Sequence, residues 1–498
     1  MRAECNAVQG PRATVGTISA DWDDRYRQGV AREGDKIPTG RLRRTARLGG
    51  LAGGQAARSY AGRAADLTRS EEQRRAATEK RQLQTAERIL DVLGQMKGAA
   101  MKLGQVASFV DTGALSKEAH ERLELKLSKL RDSAPRVSFE QMRKVIESDL
   151  GQPLEDVFDE FEPEAFAAAS IGQVYRARLR DGRSVAVKVQ YPGIANAVRA
   201  DVQNLGLLLR VAKMLAPGMD PKAMAEEIRE RLTEELDYEV EAQTHRAFAR
   251  TWRGHPFVVI PDVITELSGE RVLVTEFMDG IGFEQVKELP DAERSRFAEI
   301  VYRFFLGSLY RTRRFSADPH PGNYLLLPDG KVAFIDFGMS KRVTVEQVDA
   351  ELEVMRAGID GDAQRLRAAL VKMGFFAADD QVITAARVQE HFEAAAGWYA
   401  VDREFTIDRE YVRQVMIDVS APHSRFWELM RRQTIPPQTM FARRMEGLTL
   451  AVLGQLEATA NWHRIAREWL YGDPPATPLG EAEAEFFGQA GPGAKLNA

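Results

Sequence analysis

The chain has 498 residues, 44% of them hydrophobic and 29% charged, enough for one large two-lobed unit or two to three packed domains and too apolar for a disordered protein. A net charge of -4 gives no overall attraction to nucleic acid, which excludes that partner on bulk charge. The single cysteine, Cys5, excludes a disulfide scaffold and a cysteine-rich metal site, so a reducing compartment, the cytoplasm, is the expected location.

Residues 1–65 read as a basic arm. Lys36, Arg41, Arg43, Arg44, Arg47, Arg58 and Arg63 follow one another with no acid between Asp35 and Asp66, interleaved with Leu42, Leu48 and Leu51. That composition suits a segment lying on a membrane surface, with membrane lipid as partner. A solvated arm, or a helix packed on the rest of the protein, is the alternative, and Gly49-Gly50 and Gly53-Gly54 weaken any continuous helix. No apolar run is long enough to cross a bilayer, and the N-terminus lacks the apolar core of a secretory signal, so peripheral contact is the most that is expected.

Residues 66–155 read as a helical extension, with an apolar stripe through Leu83, Ile89, Leu90, Leu93 and Met96. It includes Lys102-Leu103-Gly104-Gln105. A helix over 138–150 is expected to open on a capping box, Ser138 with Gln141, and to close at Gly151 and Pro153. Residues 156–278 change to strands: 174–179 alternate, Asp181-Gly182 signals a hairpin, and 184–189 alternate again around Lys188. Helices at 195–216 and 221–250 follow, the second carrying Glu235, Asp237 and Glu241, and strands at 258–260 and 272–277 are expected to complete the small sheet. Residues 279–475 read as mostly helical, broken by the loop holding Asp318 and short strands at 324–327 and 331–335. Residues 476–498, rich in Pro, Gly and Ala, read as a loose tail.

Three separated groups bear on triphosphate chemistry. Lys188 offers a cation for the α/β-phosphates of ATP, Asn323 and Asp336 offer oxygen ligands for Mg²⁺, and Asp318 stands where a catalytic carboxylate is needed. Asp-Phe-Gly at 336–338 alone is common by chance, and Asp318-Pro-His-Pro-Gly-Asn323 alone is an ordinary polar turn; in this order after a lysine strand they point to one site. An ammonium between Val187 and Val189 requires an anion, and Glu241 on the following helix is the expected partner. Lys188, Glu241 and Asp318 are therefore the catalytic candidates.

Where a kinase has Gly-x-Gly-x-x-Gly-x-Val, this chain has Ala167-Ala168-Ala169-Ser170-Ile171-Gly172-Gln173-Val174. Ala167, Ala168, Ala169, Ser170, Gly172 and Val174 are the nucleotide-loop candidates, with an altered phosphate grip, because alanine disfavours positive φ. His320 is a candidate phosphate contact or a residue that only shapes its loop. Ser316-Ala317 replaces the kinase His-Arg, and only a few residues separate Gly338 from the helix expected near Val345, which leaves no long activation segment.

Together Lys102-x-Gly104-Gln105, the alanine loop, Val-Ala-Val-Lys188, Glu235-Leu-Asp237-Tyr238, Asp318-Pro-His-Pro-Gly-Asn323 and Asp336-Phe-Gly resemble the UbiB/ADCK/AarF family of atypical kinases, over about Ile37 to residue 460. The Pro-Thr-Gly-Arg-Leu stretch at 38–42 is similar to the subgroup linked to coenzyme Q biosynthesis. The resemblance implies an α+β, bilobal protein-kinase-like fold, with a small β-rich N-lobe, a helical C-lobe and the helical extension laid over the active site. It implies that Lys102, Gly104 and Gln105 plug the cleft, held by Glu235 and Asp237. It further implies an Mg²⁺-dependent kinase-like ATPase or small-molecule kinase in isoprenoid-quinone or lipid metabolism, with ATP and ADP, a quinone precursor and quinone-biosynthesis enzymes as partners. Two other readings stay open: conventional Ser/Thr phosphorylation, against which the missing activation segment argues, and a nucleotide-gated membrane- or partner-binding module, which the altered loop and basic arm favour.

Overall fold

The computed structural model describes residues 137–169, 171–202, 236–420 and 424–488, with 222, 226, 229, 230 and 233 as isolated helical positions. The basic arm, Lys102, Gly104, Gln105, Ser170 and Glu235 lie outside the described residues. The first element, α1 (Phe139–Leu150), closes on Gly151, whose φ of 71° is the left-handed turn that glycine adopts without cost. The expected capping box does not form: the Ser138 side chain makes no capping hydrogen bond. The start of α1 is fixed instead by Phe139, whose ring lies 5.6 Å from Phe161 and 5.8 Å from Tyr175 of the sheet beneath.

That sheet uses β1 (Phe158–Phe161), β2 (Ala167–Ala169), β3 (Gly172–Leu179) and β4 (Ser184–Gln190). After them come α2 (Ile194–Val202), α3 (Tyr238–Trp252), β5 (Val258–Val259) and β6 (Val272–Glu276). The order is β1-β3-β4-β6, all antiparallel, with β2 also paired on β3. The β3–β4 hairpin turns at Asp181-Gly182, with Gly182 at φ 88°. Strand alternation buries Val185, Val187 and Val189 in the lobe's core with Met142, Val145 and Ile146 of α1. Lys188 therefore lies on the other face, so the valines beside it in sequence are not its surroundings. The expectation that 258–260 completes this sheet is overturned. The two residues of β5 pair in parallel with a strand of the second lobe, a long-range choice that so short a run does not encode.

The second lobe begins with α4 (Asp291–Tyr302) and carries β7 (Arg314–Ser316), β8 (Tyr324–Leu326), β9 (Val332–Phe334) and β10 (Ser340–Arg342) around the loops of interest. Helices α5 (Val345–Ile359), α6 (Ala363–Met373), α7 (Ala385–Ala400), α8 (Arg409–Ser420), α9 (Pro437–Gln455), α10 (Trp462–Leu470) and α11 (Pro478–Phe487) enclose it. Its core is aromatic: Phe297, Tyr302, Phe304, Phe305, Tyr324 and Phe334 are all buried. The fold is thus an antiparallel-sheet lobe joined to a helical lobe.

Of the loose tail expected over 476–498, residues 489–498 lie outside the described residues, and the described part, which ends at residue 488, forms α11 instead. Pro478 occupies its first turn, the Thr477 hydroxyl accepts from the Gly480 N–H at 3.1 Å, and Glu483 is fully buried against Arg303 at 3.0 Å. Pro478, counted in the composition of the tail, is a helix start. Among the described residues no helix is long and apolar enough to cross a membrane.

Candidate active site

Helix α3 starts where the Asp237 side chain accepts from the Glu239 N–H at 3.0 Å, so Asp237 is its N-cap. One turn in, Glu241 is buried, and its Oε1 lies 2.6 Å from Lys188 Nζ. The same ammonium lies 3.1 Å from Asp336 Oδ2 and 5.1 Å from the centre of the Tyr238 ring. Burial pulls the Lys188 pKa down, but the charges of Asp336 and Glu241 outweigh it and hold it well above the ordinary lysine value. The site thus holds a fixed ammonium between two carboxylates contributed by a strand, a helix and a loop.

Asp336 follows β9, and its Oδ1 accepts from the Gly338 N–H at 3.0 Å. A Cβ at 338 would lie 3.5 Å from an oxygen of both the Asp336 and Glu241 carboxylates, at ordinary contact distance, so Gly338 sits directly against the two acids. Phe337 is buried in turn against His245 and Phe248 of α3, with ring centres 4.6 and 4.5 Å away. Burial, ahead of the other influences, lowers the His245 pKa to about 4, so it packs as a neutral aromatic ring.

Asn323 ends a turn of 3₁₀ helix, Pro321–Asn323, which His320 caps by accepting the Gly322 N–H on Nδ1 at 3.0 Å. His320 therefore shapes the loop. Ile335 N–H donates to the Asn323 carbonyl at 2.9 Å, which sets Asn323 beside the segment entering Asp336. The Asn323 amide donates to Asp318 Oδ2 at 3.2 Å and to the Asp318 carbonyl at 3.1 Å. Because its NH₂ is spent on Asp318, its carbonyl oxygen is the atom a cation would take. An Asp and an Asn are ligand types that suit Mg²⁺, which takes few protein ligands and completes its shell with phosphate and water. Among the described residues no group of three or more His, Cys, Asp and Glu could hold a metal by itself.

The alanine loop is extended. Ala167 pairs with Val174, Ala168 with Gln173 and Ala169 with Gly172, so these alanines take ordinary strand backbone. Ile171 at its tip is buried, and its carbonyl accepts from Tyr191 N–H at 2.9 Å. A Cβ on Gly172 would come within 2.0 Å of the Val189 carbonyl oxygen, so this glycine is needed where β3 crosses β4. Val174 stands opposite Lys188 in the register, and Ala186 opposite Thr275.

Sequence reasoning missed Arg444. It is buried on α9, its Nη2 lies 3.1 Å from Asp318 Oδ1, and its Nη1 donates to the Ala317 carbonyl. The only sequence signal was negative, an arginine absent from the position before Asp318.

Residues 129–370 match the family model described as the ABC1 atypical kinase-like domain. The mitochondrial atypical kinase COQ8B of Rattus norvegicus is 34% identical over 337 residues, covering 66% of this chain and 62% of its own length. The mitochondrial atypical kinase coq-8 of Caenorhabditis elegans is 29% identical over 402 residues, 78% of this chain and 52% of its own. The chain thus spans about half to 62% of these relatives. Among solved structures, the Rv3197-erythromycin complex from Mycobacterium tuberculosis aligns with a TM-score of 0.57 at 28% identity, over 80% of this chain and 98% of that one.

Proposed function

Since this chain carries an ABC1 atypical kinase-like domain, we propose that it binds ATP with Mg²⁺ in the cleft between its lobes and catalyses ATP hydrolysis or phosphoryl transfer to a small, non-peptide acceptor. In this reading Lys188 holds the phosphates, Glu241 orients Lys188, Asn323 and Asp336 hold the cation, and Asp318 orients the attacking oxygen. The cation would neutralise charge on the phosphates, as it does in phosphoryl transfer generally. The observation that carries the reading is the Lys188 ammonium fixed 2.6 Å from Glu241 and 3.1 Å from Asp336. A lysine so paired has no structural need of a second carboxylate, whereas a triphosphate site needs both.

A peptide acceptor is disfavoured by one feature. The chain after Asp-Phe-Gly enters β10 directly, which pairs residue by residue with β7, leaving no segment to form a peptide platform. The link to isoprenoid-quinone or lipid metabolism, with a quinone precursor or membrane lipid as contact, follows from the family resemblance. It makes an isoprenoid-bearing acceptor the first to try.

The test is thermal stabilisation by ATP with and without Mg²⁺, in the wild type and in Asp336→Asn. A Mg²⁺-dependent rise in Tm that Asp336→Asn loses is expected. No rise in the wild type, or an equal rise in the variant, would end this reading.

A further inference from the structure

The catalytic-loop carboxylate is gripped by a guanidinium from a distant part of the chain. Arg444 and Asp318 are separated by 126 residues, yet Nη2 reaches Asp318 Oδ1 at 3.1 Å while Nη1 donates to the Ala317 carbonyl. Met339 Sδ, on the far side of the β7–β10 ladder, is 4.0 Å from the same Nη1. The ladder itself is closed there by Ala317 N–H donating to the Met339 carbonyl at 2.7 Å. The other carboxylate oxygen, Oδ2, accepts from the Asn323 amide at 3.2 Å. Each oxygen of Asp318 thus has its own donor, and both Asp318 and Arg444 are buried.

We infer that Arg444 is the positioning residue for Asp318, resting on the reading that Asp318 is the catalytic carboxylate. Two parallel constraints, one on the loop backbone at Ala317 and one on the Asp318 carboxylate, are what a planar guanidinium supplies and a point charge does not. Without Arg444, Asp318 keeps only the Asn323 amide, and its carboxylate is free to rotate about that single bond. The cation that conventional kinases carry beside their catalytic carboxylate in sequence is here delivered from α9, because Ser316 and Ala317 carry no charge. Arg444 acts through Asp318 and touches no reacting atom.

The test uses the full chain with MgATP and water as acceptor, comparing Arg444→Met and Arg444→Lys, each alone and combined with Asp318→Asn. Expected is a kcat lowered roughly 10- to 100-fold in Arg444→Met, the scale on which small misplacements of reacting groups act. Nucleotide Kd should stay within about twofold, since positioning alone leaves ground-state binding intact. Arg444→Lys, which keeps the charge and the fold but not the fork, should recover part of the rate. Adding either change to Asp318→Asn should lower kcat no further. Wild-type turnover in both single variants, an equal loss in the Asp318→Asn background, or a wild-type rate no higher than that of Asp318→Asn would each overturn the inference. Failure of the underlying nucleotide reading would show separately, as loss of the Mg²⁺-dependent Tm rise in the wild type.

Discussion

His255 offers a measurement in which structure fixes both sign and size. It is 3% exposed, with its ring 4.7 Å from Trp252, 4.5 Å from Phe257 and 4.7 Å from Phe486. Its Nδ1 accepts from the Val258 N–H at 3.1 Å, which requires that nitrogen to be unprotonated. Burial first, then the positive charges of Arg311 and Arg303, lower its pKa from 6.5 to about 3. The unfolded chain therefore takes up a proton near pH 6.5 that the folded chain refuses, so the stability is complete above 6.5 and is lost as pH falls toward 3. By pH 5 the loss is ~2 kcal/mol, set almost wholly by the unfolded value because the folded one lies far below. His255→Asn keeps an acceptor near Nδ1 but cannot titrate. Urea denaturation of both proteins at pH 7.5 and pH 5.0 should show the stability gap moving by ~2 kcal/mol in the variant's favour, while other histidines cancel. A gap that is the same at both pH values would refute the reasoning.

Ending the chain after Pro474 removes Glu483 and Thr477 from the fully buried Arg303, leaving it Glu299 and Glu468 at 2.7 Å each. With Phe487 also lifted from Trp252 and His255, the expected cost is ~1.5 kcal/mol or more in denaturation, and an unchanged midpoint would show α11 to be dispensable. Gly172→Ala drives a methyl to 2.0 Å from the Val189 carbonyl and should cost ~1–3 kcal/mol as the strands part. Its toleration without loss of stability would count against the β3–β4 register.

What was legible in the sequence was local. The Asp181-Gly182 hairpin, the Gly151 helix stop and the helix at Val345 each depend on a few adjacent residues, and each stands in the structure at that place. The pairing of Lys188 was reachable by electrostatics alone, since a half-buried ammonium needs an anion and Glu241 was the acid one helix away. Of three features that were missed, long-range packing decides two, β5 and Arg444. β5 is two residues whose partner lies across the lobes. α11 opens on a local signal, the Thr477 cap with Pro478 in the first turn, which the Pro-, Gly- and Ala-rich composition of the tail outweighed. Arg444 lies on a helix directly after another arginine, Arg443, and nothing in its periodicity says that it turns toward Asp318 while Arg443 pairs with Glu446 and Glu351.

The two segments that conventional kinases move are both tied down here. After Gly338, Ser340, Lys341 and Arg342 pair with Ser316, Phe315 and Arg314, Val343 N–H donates to the Arg313 carbonyl at 2.9 Å, and Thr344 already caps α5. No residue between Asp-Phe-Gly and that helix is left to swing, so phosphorylation there has no loop to order. On the nucleotide side, the loop that would close over phosphates is a strand pair whose tip, Ile171, is buried and bonded to Tyr191. Opening it would expose a core side chain at a cost of roughly 1.5–3 kcal/mol. On the proposed reading, the described parts of the nucleotide pocket are thus preformed. On the same reading the Asp318 carboxylate is likewise aligned, by Arg444 and Asn323, before any acceptor arrives.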